Sequence, residues 1–404
     1  MGEGAGSIRV DFKKCPDKTT ADTLLKTIVG QEAASPPTSI DQPLILYGAG
    51  SLGRMAKEYL NYIGIPFQYV VDASPSVHSN DRFWNGISVV GPEDVSETDK
   101  KYSLLAVCIS TVPYTPVYHS LTAQGWKNIV PFYDLTELFK YQHPLGNGWF
   151  VASLNEKEND AIGNVLNRWD DEISRAHHLQ FLAWRFLRQE WVFTDAPITT
   201  NNRYFIPEIL SLLHDHESFM DIGAYHGEVS IKFSEIVHGK FREVVAIEPD
   251  SHNIAILKKN FSKTLSYNQK SRTMVFDHVI AQQSEANSFI EKLGYASQIS
   301  SLGKKSVQLT AIDSMEVTPS FIKLHVEGGE LAALKGCVST LLSNRPIIAT
   351  AGYHNRLGLW ELPQWLMDSL PDYRFLFRLH GWCGTGMVIY AIPKERITEM
   401  LDTN

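Results

Sequence analysis

The sequence predicts an α/β protein built from two doubly wound domains, each with a parallel sheet covered by helices. Twice in the chain a short apolar strand runs into a glycine turn and then into a helical pattern, first at 43–60 and again at 219–236. In both places a second apolar strand follows and ends in a carboxylate, which is typical of such folds. A length of 404 residues also exceeds one ordinary hydrophobic core, so two domains are expected.

Composition and charge exclude several classes of protein. Hydrophobic residues make up 44% and charged residues 20%, as in ordinary soluble globular proteins. The formal net charge is -8 and basic residues are scattered, which argues against binding to nucleic acid or to an acidic membrane. The four cysteines lie far apart, so we expect reduced thiols in a cytoplasmic protein. Neither a secretory signal nor a transmembrane helix is expected.

Residues 1–40 are predicted to form an N-terminal extension. Apolar residues share one face over Thr20–Val29, which predicts a short amphipathic helix. A Ser-Pro-Pro segment at 35–37 then breaks the chain.

Residues 41–145 are predicted to form a small Rossmann-like domain. The strand at 43–47 runs into Gly48-Ala49-Gly50-Ser51-Leu52-Gly53, and the next strand ends in an acid 24 residues after the first glycine. This G-x-G-x-x-G spacing suits a phosphate at a helix N-terminus. The domain resembles the nucleotide-sugar-binding half-Rossmann domain that precedes some sugar-modifying enzymes. A nucleotide or nucleotide-sugar site is therefore predicted at Gly48, Gly50, Gly53 and Asp72. A scaffold whose pocket is empty or serves dimerisation remains equally open.

A helical segment at 150–195 is predicted to join the two domains, with one long helical stretch over 155–189. The adjacent His177 and His178 would project about 100° apart on a helix, which makes them a poor pair of metal ligands. We expect both on the helix surface.

Residues 196–404 form the second predicted domain, which begins around a strand, a turn and a helix. The strand ends at Asp221, and Gly223 and Gly227 follow in a D-x-G-x-x-x-G spacing that differs from the closer glycines of a dinucleotide site. Glycines let a ligand approach the backbone, and the first helical amides are free to donate. The next strand ends at Glu248, where an acid can accept ribose hydroxyls. An ordinary tight turn is the alternative for the glycine loop.

A later strand at 321–326 also ends in polar residues, followed by glycines and a helix over 331–342. Ligands of open α/β sheets bind outside the carboxyl ends of the strands, so this segment is expected to face the same crevice as Asp221 and Glu248. The last apolar stretches, at 374–378 and 386–392, predict an antiparallel strand pair at the sheet edge. The segment Tyr353-His354-Asn355-Arg356 follows another strand, and it either contacts a substrate or merely links that strand to the next helix.

Taken together, these residues resemble the FkbM family of methyltransferases that use S-adenosylmethionine (SAM). The resemblance covers about 203–392 and rests on Tyr204-Phe205-x-Pro207-Glu208, D-I-G-A-x-x-G at 221–227, Glu248-Pro249 and I-K-x-x-V-E-G-x-E at 322–330. It implies a class I methyltransferase fold with a terminal antiparallel strand pair, SAM as cofactor, and methylation of a hydroxyl on a sugar, glycan or related natural product. The cofactor-binding residues are then expected to be Tyr204, Asp221, Gly223, Ala224, Tyr225, Gly227, Glu248, Asp277 and His278.

The family usually has aspartate where this chain has His325. A histidine can still act as a general base, because its unperturbed pKa lies nearer the working pH. We predict His325 as the base, Glu327 as the residue that orients it or receives a substrate hydroxyl, and Lys323 and Glu330 as supports. The histidine could equally report another substrate or an enzyme without turnover, and a structural Glu327–Lys323 ion pair is the alternative for those two residues.

No resident metal is predicted, because no ligand motif has a fixed spacing. A lesser variant would hold Mg²⁺ on His325, His354, His380 and nearby carboxylates. Two other functions remain open: a non-catalytic binding or sensing module with a SAM-type fold and, more weakly, an NAD(P)-dependent oxidoreductase that uses the first domain. The expected partner is a small molecule or glycan, with or without a nucleotide, and a homo-oligomer is possible; no nucleic acid or membrane partner is expected.

Overall fold

The computed structural model describes residues 8–143, 145–151, 153–282 and 286–402. The backbone falls into two compact units that alternate along the chain. The first unit contains 1–159, 175–200 and 379–386, and the second contains 160–174, 201–378 and 387–404. The predicted domain boundaries at 40, 145 and 195 remain predictions, because the two units interleave in sequence.

The helices and strands of the described residues confirm the predicted α/β class. The strands are β1 Ile8–Phe12, β2 Leu44–Tyr47, β3 Val70–Val71, β4 Val89–Val90, β5 Leu104–Val107, β6 Asn128–Pro131, β7 Gln189–Phe193, β8 Ser218–Ile222, β9 Glu243–Ile247, β10 Thr273–Phe276, β11 Val279–Ile280, β12 Ala286–Ile290, β13 Gln298–Ile299, β14 Lys305–Thr310, β15 Phe321–Leu324, β16 Ile347–Ala351, β17 Tyr373–Leu379 and β18 Met387–Pro393. The helices are α1 Lys18–Val29, α2 Ser51–Ile63, α3 Glu97–Tyr102, α4 Tyr114–Ala123, α5 Phe132–Thr136, α6 Glu156–Arg168, α7 Glu172–Leu187, α8 Pro207–Leu210, α9 Glu228–Ile236, α10 Ser251–Thr264, α11 Tyr267–Lys270, α12 Glu330–Lys335, α13 Val338–Asn344, α14 Glu361–Ser369 and α15 Lys394–Asp402. Within the described ranges, no helix combines the length and the apolar character that crossing a membrane requires.

The first unit contains a five-stranded parallel sheet in the order β4-β3-β2-β5-β6. Its central strands β2 and β5 are almost wholly buried, which explains their continuous apolar sequence. Helix α2 begins directly after Gly50 and ends at Gly64, which adopts a left-handed conformation. The strand–glycine turn–helix predicted at 43–60 is therefore present.

The predicted N-terminal extension contributes a strand to this unit. Strand β1 pairs in parallel with β7, with Ile8 opposite Gln189 and Phe12 opposite Phe193. Phe12 and Phe193 stack with ring centroids 4.5 Å apart. The amphipathic helix predicted at 20–29 is observed as α1, where the Asp17 side chain accepts a hydrogen bond from the backbone of Thr20.

The helical segment predicted over 155–189 consists of two helices, α6 and α7. The chain breaks between them because Asp171 accepts hydrogen bonds from the backbone and hydroxyl of Ser174 and so caps α7. The prediction that His177 and His178 lie on the helix surface is wrong, since both are buried. Nδ1 of His177 accepts the Leu379 N–H at 3.1 Å, and Nε2 lies 3.1 Å from the Ala196 carbonyl.

The second unit is organised around a seven-stranded sheet in the order β10-β9-β8-β15-β16-β18-β17. The first five strands in this order are parallel to one another, and β18 runs antiparallel to β16. An antiparallel strand was predicted at this edge of the sheet. Phe219 of β8 stacks on Phe233 of α9 with ring centroids 4.4 Å apart, and both are fully buried. Aromatic side chains thus fix helix α9 against the centre of the sheet.

One local prediction in this unit needs correction, since the helix predicted at 331–342 is split into α12 and α13 near Gly336. Strand β14 belongs to a separate four-stranded sheet, β11-β14-β12-β13. Helix α8 is a single turn that ends at Leu210. A Cβ at Gly336 would lie 2.3 Å from the carbonyl oxygen of Ala281, so this close approach accounts for the glycine.

The strand register places the sequence motifs together. Asp221 on β8 lies opposite Lys323 on β15 and Ala246 on β9, while Lys323 also lies opposite Ala349 on β16. These four parallel strands therefore end at one edge of the sheet. The loops that follow them carry the candidate site.

Candidate active site

The glycine loop after β8 is held by the chain itself. The N–H groups of Gly223 and Ala224 both donate to the carbonyl of Ile247 at 2.9 Å. Gly223 has φ +73°, and a Cβ there would lie 1.8 Å from the carbonyl oxygen of His325. A Cβ at Gly227, where φ is +85°, would lie 2.6 Å from the Phe261 ring. Contacts within the chain therefore explain why both residues are glycine, even if no ligand is bound. The close approach of a ligand was the reason expected from the sequence.

Glu248 lies against this loop, as an acid at the end of β9 should. Its Oε2 accepts the Tyr225 N–H at 2.8 Å, and its Oε1 accepts the Asp250 N–H at 3.0 Å. The Asn253 amide lies 3.3 Å from Oε1. Burial raises the pKa of the Glu248 carboxyl, and these donors oppose the shift. Each carboxylate oxygen can accept two hydrogen bonds, so Oε1 is filled by these donors and Oε2 can still accept one hydroxyl donor.

Asp221 and Lys323 form a buried ion pair at the base of the loop. Nζ of Lys323 lies 2.8 Å from Oδ1 of Asp221 and donates to the carbonyl of Gly223 at 2.7 Å. The other carboxylate oxygen of Asp221 accepts the Ser230 hydroxyl at 2.7 Å. The alternative in which Lys323 pairs with Glu327 is therefore wrong. Both residues support the loop, and a direct contact between Asp221 and the cofactor stays a prediction.

Asp277 and His278 follow β10, the strand beside β9. The Asp277 side chain is 80% exposed, and its Oδ1 lies 3.5 Å from Nδ1 of His278. Their predicted contact with adenine stays a prediction.

The most densely connected polar group lies after β15 and β16. Nε2 of His325 is 3.1 Å from Nε2 of His354 and 3.1 Å from Oε1 of Glu327. Nε2 of His354 is 3.4 Å from the same Glu327 oxygen. These three side chains, called the His–Glu–His cluster below, converge on one point. The sequence did not predict this metal-ligating arrangement, although His325 and His354 were considered for Mg²⁺. His380, considered with them, belongs to the first unit, where its Nδ1 lies 2.7 Å from the Thr199 carbonyl.

Tyrosines and an arginine surround the cluster. The Tyr204 hydroxyl lies 2.8 Å from Nδ1 of His325, and the Tyr353 hydroxyl lies 3.3 Å from its Nε2. Arg203 donates to the Tyr353 hydroxyl at 3.2 Å, and Tyr390 accepts the Tyr204 N–H at 3.1 Å. Tyr204 is buried and contacts the predicted catalytic histidine, so its main observed role is packing there. A contact between Tyr204 and the cofactor stays a prediction.

The two histidines of the cluster have opposite electrostatic environments. Burial, and then the positive charge of Arg203, lowers the pKa of His325 to about 4. Burial also acts to lower the pKa of His354, but the carboxylates of Glu327 and Glu330 raise it well above the ordinary histidine value. Burial acts to raise the pKa of Glu327, yet the nearby histidines hold it well below its usual range. At neutral pH the cluster therefore contains a neutral His325, a charged His354 and an ionised Glu327.

The turn that carries Glu327 is strained and is held by Glu330. Glu327 adopts φ +51° and Gly328 adopts φ +103°. The Glu330 carboxylate accepts the N–H groups of Val326 at 3.2 Å and Gly328 at 3.0 Å, and its Oε1 lies 2.9 Å from Nδ1 of His354. Glu330 thus contacts both the turn and the second histidine, and its supporting role in catalysis stays a prediction. A non-glycine residue with positive φ often marks a functional site.

The loop after β2 in the first unit has the same construction as the loop after β8. Gly48 has φ +104° and donates to the Val71 carbonyl at 2.7 Å, while the Asp72 carboxylate accepts the N–H groups of Ala49 at 2.7 Å and Ser74 at 2.8 Å. A Cβ at Gly53 would lie 2.0 Å from the Gly48 carbonyl oxygen, whereas no atom lies within 4 Å of a Cβ at Gly50. Gly50 at the start of α2 thus has open space beside it.

Sequence reasoning missed residues whose role depends on the fold. Asp250 caps α10 and also accepts from the backbone of Lys292 and the hydroxyl of Ser297, both more than 40 residues away. Asp250 stands two positions after Glu248, directly before a helix, so an N-cap signal was present in the sequence. No such local signal marks Ser230 or Asn253.

The fold is that of the α/β methyltransferases. A methyltransferase FkbM from Methylobacillus flagellatus KT superimposes with a TM-score of 0.60 at 17% identity, over 91% of this chain and 93% of that chain. Residues 221–377 match the family model for the methyltransferase FkbM domain. This match confirms the predicted resemblance and supports SAM as the cofactor.

Two further solved structures overlap less well with this chain. An SAH-bound Podospora anserina methyltransferase, PaMTH1, is 15% identical over 60% of this chain and 89% of its own, with a TM-score of 0.31. A precorrin-6y C5,15-methyltransferase from Geobacter metallireducens is 14% identical over 50% of this chain and 95% of its own, with a TM-score of 0.30. A comparison with curated proteins gave no significant match.

The glycine loop yields a test that needs no substrate. Gly223→Ala should lower the thermal unfolding midpoint by several degrees, because its Cβ meets the His325 carbonyl and the residue needs positive φ. Gly329→Ala is the matched control, since its Cβ would find only ordinary contacts at 3.5 Å or more. Thermal unfolding followed by circular dichroism measures both. Equal midpoints for the two variants would contradict this role of the loop.

Proposed function

We propose that the protein transfers the methyl group of SAM to a hydroxyl of a sugar, a glycan or a related natural product. The proposal rests mainly on one juxtaposition. Neighbouring strands β9, β8 and β15 end in the ribose-type acid Glu248, the glycine loop and the His–Glu–His cluster. An acid that can bind the cofactor and a cluster that can accept a proton thus lie at the ends of neighbouring strands. The FkbM match supports the assignment of methyl transfer.

Glu248 is the residue that we assign to the ribose of SAM. Its carboxylate is buried beside the loop, and Oε2, which accepts only the Tyr225 N–H, retains a lone pair for a hydroxyl donor. Asp277 and His278, at the end of the next strand, are assigned to the adenine side. The residues fit an uncharged ribose better than a pyrophosphate, because the loop lacks the closely spaced glycines of a dinucleotide site.

The His–Glu–His cluster is the group that we assign to the acceptor hydroxyl. SAM supplies the methyl group as an electrophile and leaves as S-adenosylhomocysteine (SAH). In the simplest form of the reaction, Nε2 of His325 takes the hydroxyl proton while the oxygen forms its bond to the methyl carbon. Tyr204 orients the His325 ring through Nδ1, and Glu327 lies close enough to stabilise the resulting positive charge. The methyl transfer itself depends on in-line positioning of the two partners.

Glu248→Gln should weaken SAH binding by about 10–100-fold, because hydrogen bonds to a charged group contribute about 1.5–3 kcal/mol. Isothermal titration calorimetry with SAH measures the change. Glu235→Gln, an exposed carboxylate on helix α9, is the control and should bind SAH as the parent chain does. If Glu248→Gln binds SAH with undiminished affinity, the ribose assignment fails.

His325→Ala should slow methyl transfer by about 10²–10⁴-fold, the usual contribution of a general base, and leave SAH affinity unchanged. The assay follows radioactive methyl transfer from SAM to a panel of free sugars, nucleotide sugars and oligosaccharides. His214→Ala, which removes an exposed histidine, is the control. An unaltered rate in His325→Ala would remove this residue from the chemistry.

For the first unit we propose a nucleotide or nucleotide-sugar site at the loop after β2. The open space beside Gly50, at the N-terminus of the 13-residue helix α2, is the observation in favour of it. The engagement of both Asp72 oxygens with backbone N–H groups equally suits a scaffold without a ligand.

Gly50→Asp separates these two interpretations. Aspartate fits the open space and is a favourable N-cap, so the thermal unfolding midpoint should stay the same or rise. The added negative charge should weaken binding of UDP-glucose by at least about 10-fold if the phosphates lie at this helix N-terminus. Calorimetry on the full chain measures the binding. An affinity equal to that of the parent chain would exclude this loop as the phosphate site.

A further inference from the structure

We infer that the His–Glu–His cluster is a binding site for a divalent transition-metal ion of the zinc type. The donor atoms are Nε2 of His325, Oε1 of Glu327 and Nε2 of His354. They come from the turn after β15 and from the segment after β16, which are neighbouring strands of the sheet. Two elements of the rigid framework thus hold all three atoms.

The spacing of the three atoms matches the ligands of one ion. Their separations are 3.1, 3.1 and 3.4 Å. Two ligands about 2.1 Å from a common ion lie about 3.0 Å apart at a right angle and about 3.4 Å apart at the tetrahedral angle. The observed triangle falls in this range on every side. The distances therefore allow one ion to contact all three atoms.

The chemistry of the three atoms also suits a cation, either a proton or a metal ion. An ionised carboxylate oxygen is an acceptor, and so is the free ring nitrogen of a neutral imidazole. Three such atoms converge in a largely buried place, where the side chains of Glu327 and His354 are 7% and 4% exposed. Without a proton or a metal ion between them, their lone pairs would repel one another at low dielectric.

The surroundings orient the ligands as in protein metal sites. A metal-binding histidine usually contacts a carboxylate or another polar group through its second ring nitrogen. Nδ1 of His354 lies 2.9 Å from Glu330, and Nδ1 of His325 lies 2.8 Å from the Tyr204 hydroxyl. Glu330 is itself held by two backbone N–H groups of the turn. The strained φ of Glu327 places its carboxylate in the cluster at an energetic cost, which a bound ion would offset.

The ligand set selects the class of ion. Two imidazoles and one carboxylate suit Zn²⁺, Fe²⁺ or Co²⁺, whereas Mg²⁺ prefers ligands that are all oxygen. The His325 side chain is 18% exposed, so the cluster is accessible to an ion from solution. Three protein ligands also leave coordination positions for water or for an acceptor oxygen.

This inference deepens the proposed function, on which it rests only for the role of the ion. With an ion bound, His325 would serve as a ligand instead of as the base, and the ion would supply Lewis-acid chemistry that makes an acceptor hydroxyl more acidic. The hydroxyl proton would then pass to solvent. Binding of the ion is independent of SAM and of the acceptor, so it can be tested without either.

The test uses the full chain after removal of metals with EDTA. Titration with Co²⁺, followed by visible absorption and calorimetry, should show one tight site per chain with the absorption bands of nitrogen-ligated Co²⁺, and Zn²⁺ should displace it. Millimolar Mg²⁺ should not. Absence of a saturable Co²⁺ site, or equal competition by Mg²⁺, would overturn the inference, whereas SAH binding would still report on the proposed function.

Variants locate the site. His325→Ala removes a ligand and should weaken Co²⁺ binding by more than about 100-fold. Glu330→Gln changes only the residue that contacts the ligand His354, and it should weaken binding by about 10–100-fold. His214→Ala removes an exposed histidine outside the cluster and should bind as the parent chain does. Thermal unfolding without metal confirms that each variant is folded. Parent-like affinity in folded His325→Ala would place the ion elsewhere and contradict the assignment.

Discussion

The buried ion pair between Asp221 and Lys323 is the interaction on which the candidate site depends. It joins the ends of two neighbouring strands, and the same ammonium group also holds the carbonyl of Gly223. Breaking a buried pair leaves an uncompensated charge, so both partners are needed together. Because the pair fixes β8 against β15, the glycine loop and His325 stand in backbone contact, as the lack of space for a Cβ at Gly223 shows.

Two groups of polar residues with different chemistry lie on either side of this ion pair, along the edge of the sheet. The β9 side carries Glu248, whose carboxylate is surrounded by backbone donors and suits neutral hydroxyl groups. The side of β15 and β16 carries two histidines and two carboxylates. The pKa of His325 is lowered there, whereas the pKa of His354 is raised. Under the proposed function, the ribose of the cofactor lies at the Glu248 side and the acceptor hydroxyl at the side of the histidines.

The sequence predicted the parallel sheets well, because continuous apolar strands and glycine turns are local signals. It also predicted which strand ends carry polar residues. It did not predict the partner of Lys323, since register between β8 and β15 depends on contacts 102 residues apart. The pairing of β1 with β7 and the burial of His177 and His178 were missed for the same reason. A helix pattern shows which residues share a face, but not how many sides of the helix are covered.

The convergence of His325, Glu327 and His354 illustrates this limit. His325 was prominent because aspartate is usual at its position, yet His354 lies 29 residues away and had only its place after a strand to mark it. No fixed spacing joins the three residues, so only the fold brings them together.

A crystal structure of the protein with bound SAH would show directly whether Glu248 and the His–Glu–His cluster share one active site. We expect the ribose hydroxyls of SAH on the Glu248 carboxylate, with the sulfur facing the crevice beside His325. A ribose bound away from Glu248, or a sulfur remote from the His–Glu–His cluster, would contradict this expectation.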